Sequence, residues 1–127
     1  MAVFGVPFPQ PVHAVRGVRA AVEMYRALED LNNSGTLPFK LEMRLAVNSG
    51  KVVAGDIGSE KRMDYTVLGS TVNIASRIES SIAQAGEIVI GELTMERIGD
   101  AFPAVSLGSV PLRGLSTPMT LYRILPG

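Results

Sequence analysis

Cysteine is absent from this chain of 127 residues, and histidine occurs once, at His13. The lack of cysteine excludes disulfides, thiolate metal sites and cysteine nucleophiles, and a single histidine excludes any site that needs two. Local spacing places no carboxylate or nucleophile beside His13, so we interpret it as a surface residue. A chain without cysteine suits a reducing compartment, and residues 1–8 lack the basic start of a signal peptide. We therefore expect a cytoplasmic protein.

An excess of positive charge is also missing, because 12 lysines and arginines are matched by 12 aspartates and glutamates. A net charge of zero argues against a strongly basic nucleic-acid binder and against a polybasic membrane-surface protein, but it leaves room for a small local phosphate site. No apolar run approaches the ~18 residues that span a bilayer, so we predict no membrane segment in this chain. With 46% hydrophobic and 19% charged residues, the composition is that of one folded domain.

Three stretches have the apolar spacing of helices. The first runs from Val12 to about Leu31, the second from Ser70 to about Gln84, and the third from Glu92 to Ile98. Ser70 is a suitable N-cap for the second helix. The apolar stripe that we expect this second helix to bury consists of Ala75, Ile78 and Ile82.

Extended segments lie between these helices. A hairpin is predicted from Leu41–Asn48, through a turn at Ser49–Gly50, to Lys51–Ala54, and residues 55–59 are predicted to form a loop. The other predicted strands are Met1–Gly5, Tyr65–Leu68, Glu87–Ile90, Val105–Val110 and Met119–Leu125. Strands interleaved with helices predict an α+β fold, with helices on one face of a mainly antiparallel sheet.

The second helix carries the strongest chemical signal. Asn73 and Arg77 are four residues apart, so they lie on one helix face, one turn above the other. A guanidinium and an amide near a helix N-terminus suit a phosphate and a sugar, since Arg offers a rigid fork of donors. The same pair is also common on solvated helix faces, so the spacing alone leaves both interpretations open.

The surrounding residues resemble a known family. Residues 62–77 read R-M-D-Y-T-V-L-G-S-T-V-N-I-A-S-R, which is similar to the D-Y-T-x-x-G-x-x-V-N-x-A-x-R signature of the class III nucleotidyl cyclases. Residues 44–58 resemble that family's G-I-H-T-G strand-turn-strand segment, with Asn48-Ser49 in place of His-Thr. Leu112-Arg113-Gly114 is similar to its closing L-K-G element. The resemblance covers essentially the whole chain and implies the ferredoxin-like cyclase fold.

The resemblance implies conversion of ATP to cyclic AMP and pyrophosphate, by attack of the ribose 3′-hydroxyl on the α-phosphate. Asn73 would orient the ribose, and Arg77 would stabilise the charge that develops on the α-phosphate. Thr66 stands at a position that reads the purine, which favours ATP without excluding GTP. Arg113 would contact the triphosphate, or it is a surface arginine in a loop.

The departures from the family concern metal binding. The family uses two metal ions, Mg or Mn, held by two aspartates that correspond to positions upstream of Met1. Asp56 and Asp64 match positions that do not bind metal. We therefore expect residues 1–127 to be an N-terminally truncated cyclase domain with no metal ligands of its own. In the family, one subunit gives the aspartates and the other gives the Thr/Asn/Arg set, so the expected partners are a second copy of this chain or a complete cyclase subunit.

Three hypotheses follow from the sequence. The first is a fragment of a cyclase catalytic domain that is inactive by itself. The second is a non-catalytic, cyclase-like module that dimerises or binds nucleotide. The third is an unrelated α+β interaction domain in which Asn73 and Arg77 are surface residues, and the specificity of the 62–77 motif argues against it.

Overall fold

The structure is a computed structural model, and it describes residues 2, 4, 12–50, 53–59, 62–68 and 70–125, with only the backbone described for 53–59 and 62–68. The described helices are α1 (His13–Asn33), α2 (Ser70–Arg77), a π-helical turn (Ile78–Ile82) and α3 (Glu92–Ile98). The described strands are β1 (Leu45–Val47), β2 (Val53–Ser59), β3 (Arg62–Leu68), β4 (Ile88–Ile90), β5 (Ala104–Val110) and β6 (Met119–Ile124). The predicted α+β class is confirmed.

Four of the described strands form the main sheet, in the order β1-β4-β6-β5, and β2 and β3 form a separate antiparallel pair. Within the described strands the pairings are antiparallel except for β1 with β4, which is parallel. A parallel pair needs a crossover connection, and here that connection contains the β2–β3 pair and α2. This crossover places α2 against the sheet.

The expectation that the helices cover one face of the sheet is wrong. Side chains alternate across a strand, so neighbours on β4 point to opposite faces. Ile88 and Ile90 lie in a buried cluster with α1 and with Ile98 of α3, whereas Val89 lies in a second cluster with Ile74 and Ile78. Helices therefore cover both faces, and the uninterrupted apolar run of β4 is the sequence signal of a strand buried on both sides.

The hairpin predicted for residues 41–54 is also wrong. Only Leu45–Val47 of its first half forms a strand, and that strand pairs with β4 in the register Leu45↔Ile88. The residues predicted as a loop, 55–59, belong to β2, in which Gly55 pairs with Thr66 of β3. Alternation fixes which side chains share a face, but it does not choose the partner strand, which depends on tertiary packing.

The remaining differences concern element ends. The second helix is α-helical only to Arg77, after which a π-helical turn runs to Ile82 and the backbone becomes extended at Ala83. Most of the strand predicted at Met1–Gly5 lies outside the described residues, as do Lys51 and Val52 of the predicted returning strand.

Candidate functional site

The face of α2 that carries Asn73 and Arg77 points away from the buried cluster. Asn73 is exposed and Arg77 is half-buried, whereas Ile74 and Ile78 are buried. The predicted buried stripe is Ala75, Ile78 and Ile82, and of these only Ile78 is buried. Ala75 and Ile82 are half-buried, and Ile74 is the second buried residue of this face. The two polar side chains are thus presented from one side of a short helix whose opposite side is fixed by packing.

Arg77 is linked to the loop between β5 and β6. Its Nη1 donates a hydrogen bond to the backbone carbonyl of Arg113. The Arg113 side chain is exposed, while Leu112 beside it is buried in the same cluster as Ile74 and Ile78. Arg77 and Arg113, two of the residues predicted for the site, are therefore neighbours in the fold although they are distant in the sequence. The loop that carries Arg113 is held in place by the buried side chain of Leu112.

Thr66 lies on β3, the strand that leads directly into α2. Its backbone pairs with Gly55 of β2. The Thr66 side chain lies outside the part of the structure that is described, and so do the side chains of Asp56 and Asp64. The position of Thr66 on a strand that runs into the helix of Asn73 and Arg77 is what the sequence motif predicts.

A polar connection between β1 and α2 escaped the sequence analysis. The Asn48 side-chain amide donates to the Thr71 carbonyl in the first turn of α2, at 3.0 Å. The hydroxyl of the following residue, Ser49, lies 2.7 Å from the hydroxyl of the fully buried Thr94 on α3. Asn48-Ser49 differs from the His-Thr of the family motif. The contacts of these two residues with Thr71 and Thr94 depend on the tertiary arrangement, in which β1 pairs with β4.

The resemblance to the cyclases implies divalent cations at the complete site. Two-metal sites need several carboxylates that converge. Among the described residues, no group of three or more His, Cys, Asp or Glu side chains is arranged to hold a metal ion. The described side chains therefore contain no ligand cluster of that size, and the side chains of Asp56 and Asp64 are not among those described.

His13 belongs to the other face of the sheet. It lies in the first turn of α1, and its Nε2 is 2.9 Å from Nη1 of Arg97 on α3. This contact joins the two helices that cover the face opposite α2. It does not bring His13 toward Asn73 or Arg77, which lie on the far side of the sheet.

Comparison with known proteins decides the family. The model of the adenylate and guanylate cyclase catalytic domain matches residues 1–126. The chain belongs to this family. Its resemblance to the class III nucleotidyl cyclases, first seen at residues 62–77, is thereby confirmed.

Individual relatives include both kinds of cyclase. An adenylate cyclase of Mycobacterium tuberculosis is 36% identical over 124 residues, which are 98% of this chain and 27% of the relative. The crystal structure of the adenylyl cyclase CyaB from P. aeruginosa superposes with a TM-score of 0.87 at 33% identity, and covers 96% of this chain and 64% of that chain. The guanylate cyclase domain of RhGC from Catenaria anguillulae, in complex with GTP, has a TM-score of 0.83 at 29% identity, with coverage of 96% and 64%.

These cyclase structures confirm the predicted cyclase fold. The chain spans less than two thirds of the length of each of these three relatives. In the described residues, no helix is both long enough and apolar enough to cross a membrane.

Proposed function

We propose that this chain supplies the ribose-orienting and charge-stabilising half of an adenylate cyclase site, which converts ATP to cyclic AMP and pyrophosphate. The observation that carries the proposal is the arrangement around α2. Asn73 and Arg77 share its outward face, and Arg77 reaches the Arg113 loop. A cationic rim built from a helix and a loop is suited to a triphosphate, because guanidinium groups bind phosphate oxygens in a fixed geometry.

In the proposed reaction, the ribose O3′ forms a bond to the α-phosphorus, the bond from that phosphorus to the bridging oxygen breaks, and the hydroxyl proton is released. Such a transfer depends on positioning and on neutralisation of charge. Asn73 holds the ribose so that O3′ lies in line with the leaving group. Arg77 stabilises the negative charge that grows on the α-phosphate oxygens. The Arg113 side chain, exposed beside Arg77, binds the triphosphate tail.

Preference for ATP is assigned to Thr66. A threonine hydroxyl accepts a hydrogen bond from the adenine amino group, and it can also donate one, so the preference over GTP is modest. The position of Thr66 one strand before α2 supports a role at the same nucleotide. The relatives include both adenylate and guanylate cyclases, which fits a site whose preference for adenine over guanine is small.

The metal-binding aspartates belong, in this proposal, to a segment or a subunit outside these 127 residues. Residues 1–127 then form the part of a cyclase catalytic domain that carries Thr66, Asn73 and Arg77 and acts in the cytoplasm, and the Mg or Mn of the complete site is held elsewhere. The partner is a complete cyclase subunit or, for dimerisation, a second copy of this chain.

A non-catalytic role is the second candidate, since the polar face of Asn73 and Arg77 beside the Arg113 loop is equally suited to bind nucleotide without turnover. In that case the chain dimerises with a cyclase subunit or binds nucleotide without turnover. The two candidates make the same prediction for nucleotide binding, and they differ in whether product forms when a partner supplies the aspartates.

The test uses the purified chain with radiolabelled ATP and Mg or Mn, alone and mixed with a family cyclase subunit. That subunit keeps its aspartates, but its own equivalents of Asn73 and Arg77 are replaced by alanine. We expect no cyclic AMP from the chain alone and metal-dependent cyclic AMP from the mixture. Product from the chain alone would contradict the division of the site. A mixture that binds ATP without forming product would favour the non-catalytic module.

A further inference from the structure

Gly114 lies directly against the guanidinium of Arg77. A Cβ placed on Gly114 would collide with Nη1 of Arg77 and would lie 3.5 Å from its Cζ. The backbone of Gly114 also has φ of +91°, in the left-handed region that favours glycine. The residue before it, Arg113, accepts the hydrogen bond from the same Nη1 through its carbonyl. Two consecutive residues thus fix one nitrogen, one by accepting its hydrogen bond and one by leaving it room.

We propose that the Arg113 carbonyl and Gly114 form a backbone cradle that positions the Arg77 guanidinium, so that Gly114 is a positioning residue for the reaction. This rests on the proposed function. The loop engages one N–H of Nη1, which leaves the second N–H of Nη1 and the N–H groups of Nη2 and Nε to face a phosphate. The guanidinium is planar and rigid, so fixing one nitrogen also fixes the direction in which the others point.

The cradle separates two roles of Arg113. Its carbonyl belongs to the backbone and survives any side-chain substitution, whereas the triphosphate contact proposed above needs the side chain. Buried Leu112 holds the loop against the cluster beneath α2, so the carbonyl is presented from a fixed position. Substitution of Gly114 is expected to disturb Arg77 in a way that substitution of the Arg113 side chain does not.

The chain offers a matched control for Gly114. Gly86 has a similar φ of +84°, but a Cβ there would meet nothing within 4 Å. Gly114→Ala and Gly86→Ala therefore share the backbone strain of alanine in the left-handed region, and only Gly114→Ala displaces a side chain. The displaced group is the far end of a flexible arginine, so both variants are expected to fold and to lose similar amounts of thermal stability.

The first arm of the test needs no substrate. The side-chain NMR signals of Arg77 are assigned from those lost in Arg77→Lys. We expect Gly114→Ala to shift these signals and to speed exchange of the Arg77 guanidinium protons with water, while Gly86→Ala and Arg113→Ala leave them in place. An unchanged Arg77 signal in Gly114→Ala, or the same shift in Gly86→Ala, would overturn the cradle.

The second arm uses the mixture with the aspartate-supplying subunit. Gly114→Ala should lower kcat by about tenfold to 100-fold with little change in KM, because a small misplacement of a catalytic group costs rate more than binding. In the Arg77→Ala background the same change should have no further effect. An equal loss in both backgrounds would show that Gly114 does not act through Arg77. If the mixture with the unaltered chain makes no product, the proposed function fails, and the NMR arm decides the cradle by itself.

Discussion

The two faces of the main sheet are built differently. One face is covered by the 21-residue α1 together with α3, and its buried cluster includes Val18, Ile88 and Ile90. The other is covered by the 8-residue α2 and a five-residue π-helical turn. The long helix packs along one face of the sheet. The short helix leaves a polar edge uncovered on the other face, where Asn73 is exposed and Arg77 contacts the β5–β6 loop. Because α2 is short, it is held in place by the apolar cluster beneath it and still leaves polar side chains accessible at its edge.

This contrast predicts that equal chemical changes on the two faces have unequal consequences for function. The largest effect is expected for Arg77→Ala, compared with the exposed Arg19→Ala of α1. Loss of a preorganised donor to the transition state typically costs ~10²–10³ in rate. Arg77→Ala should lower kcat by that factor in the mixture with an aspartate-supplying subunit, and Arg19→Ala should not. Steady-state kinetics that showed only a higher KM for Arg77→Ala would make Arg77 a ground-state binder.

The second comparison concerns the two clusters. Ile78 and Ile98 are both buried, on opposite faces of the sheet. Replacement of either by alanine should lower the free energy of unfolding by about 2–5 kcal/mol, from lost burial and the cavity left behind. The milder Ile78→Val and Ile98→Val should cost about 0.5–1.5 kcal/mol each. Urea unfolding measures both pairs.

The valine variants also sharpen the contrast in function. Ile78 follows Arg77 directly, so a shift of its packing moves the guanidinium, whereas Ile98 is separated from the rim by the sheet. At matched stability we expect Ile78→Val to lower kcat of the mixture more than Ile98→Val does. Equal kcat in the two variants would show that packing beneath α2 does not tune the site.

Two asparagines give the third comparison. Asn48 donates to the Thr71 carbonyl at a half-buried position, whereas Asn32 makes two solvent-exposed hydrogen bonds with the backbone of Leu41, at 2.7 and 2.9 Å. An intramolecular hydrogen bond contributes about 0.5–1.5 kcal/mol, and we expect the half-buried one of Asn48 to lie at the upper end of this range. Hydrogen exchange should show faster exchange in the first turn of α2 for Asn48→Ala and at the end of α1 for Asn32→Ala. Unchanged exchange in α2 would contradict the role of Asn48.

The smallest effect is expected for Thr66→Ala. One lost hydrogen bond to the purine should raise KM for ATP by about two- to tenfold and narrow the preference over GTP, with kcat little changed. Thr120→Ala, on β6 of the main sheet, is the matched control. Competition assays between ATP and GTP measure the preference. An equal ratio of ATP to GTP turnover in Thr66→Ala and Thr120→Ala would show that Thr66 does not contact the purine.

Local patterns predicted the elements better than their partners. The helices at Val12–Leu31 and Glu92–Ile98, and the last two strands, lie within a few residues of their predicted ends, because apolar periodicity is a local property. The parallel partner of β1 and the second covered face depend on contacts between distant segments. A hairpin looked adequate for residues 41–54 because antiparallel partners are usually neighbours in sequence, and nothing local marked β4 as the partner.

The site followed a similar division. The specific motif at residues 62–77 pointed to Asn73, Arg77 and Thr66, and their roles stay predictions. The closeness of Arg77 to the Arg113 loop, and the bond from Asn48 to Thr71, join residues that are far apart in the sequence. Side-chain periodicity does not predict contacts between distant residues. The contacts that hold the polar face of α2 in place are therefore seen only in the folded structure.

The parallel pairing of β1 with β4 also has a consequence for folding kinetics. The β2–β3 pair joins neighbouring segments, and hairpins of this kind close within microseconds. The pairing of Leu45 with Ile88 must close a loop that contains this hairpin and α2, and such non-local closure is slow. The hydrogen bond from the Asn48 side chain to the Thr71 carbonyl can form only when α2 packs beside the end of β1. We expect the helix that carries Asn73 and Arg77 to dock late, after α1 and the β5–β6 hairpin have formed.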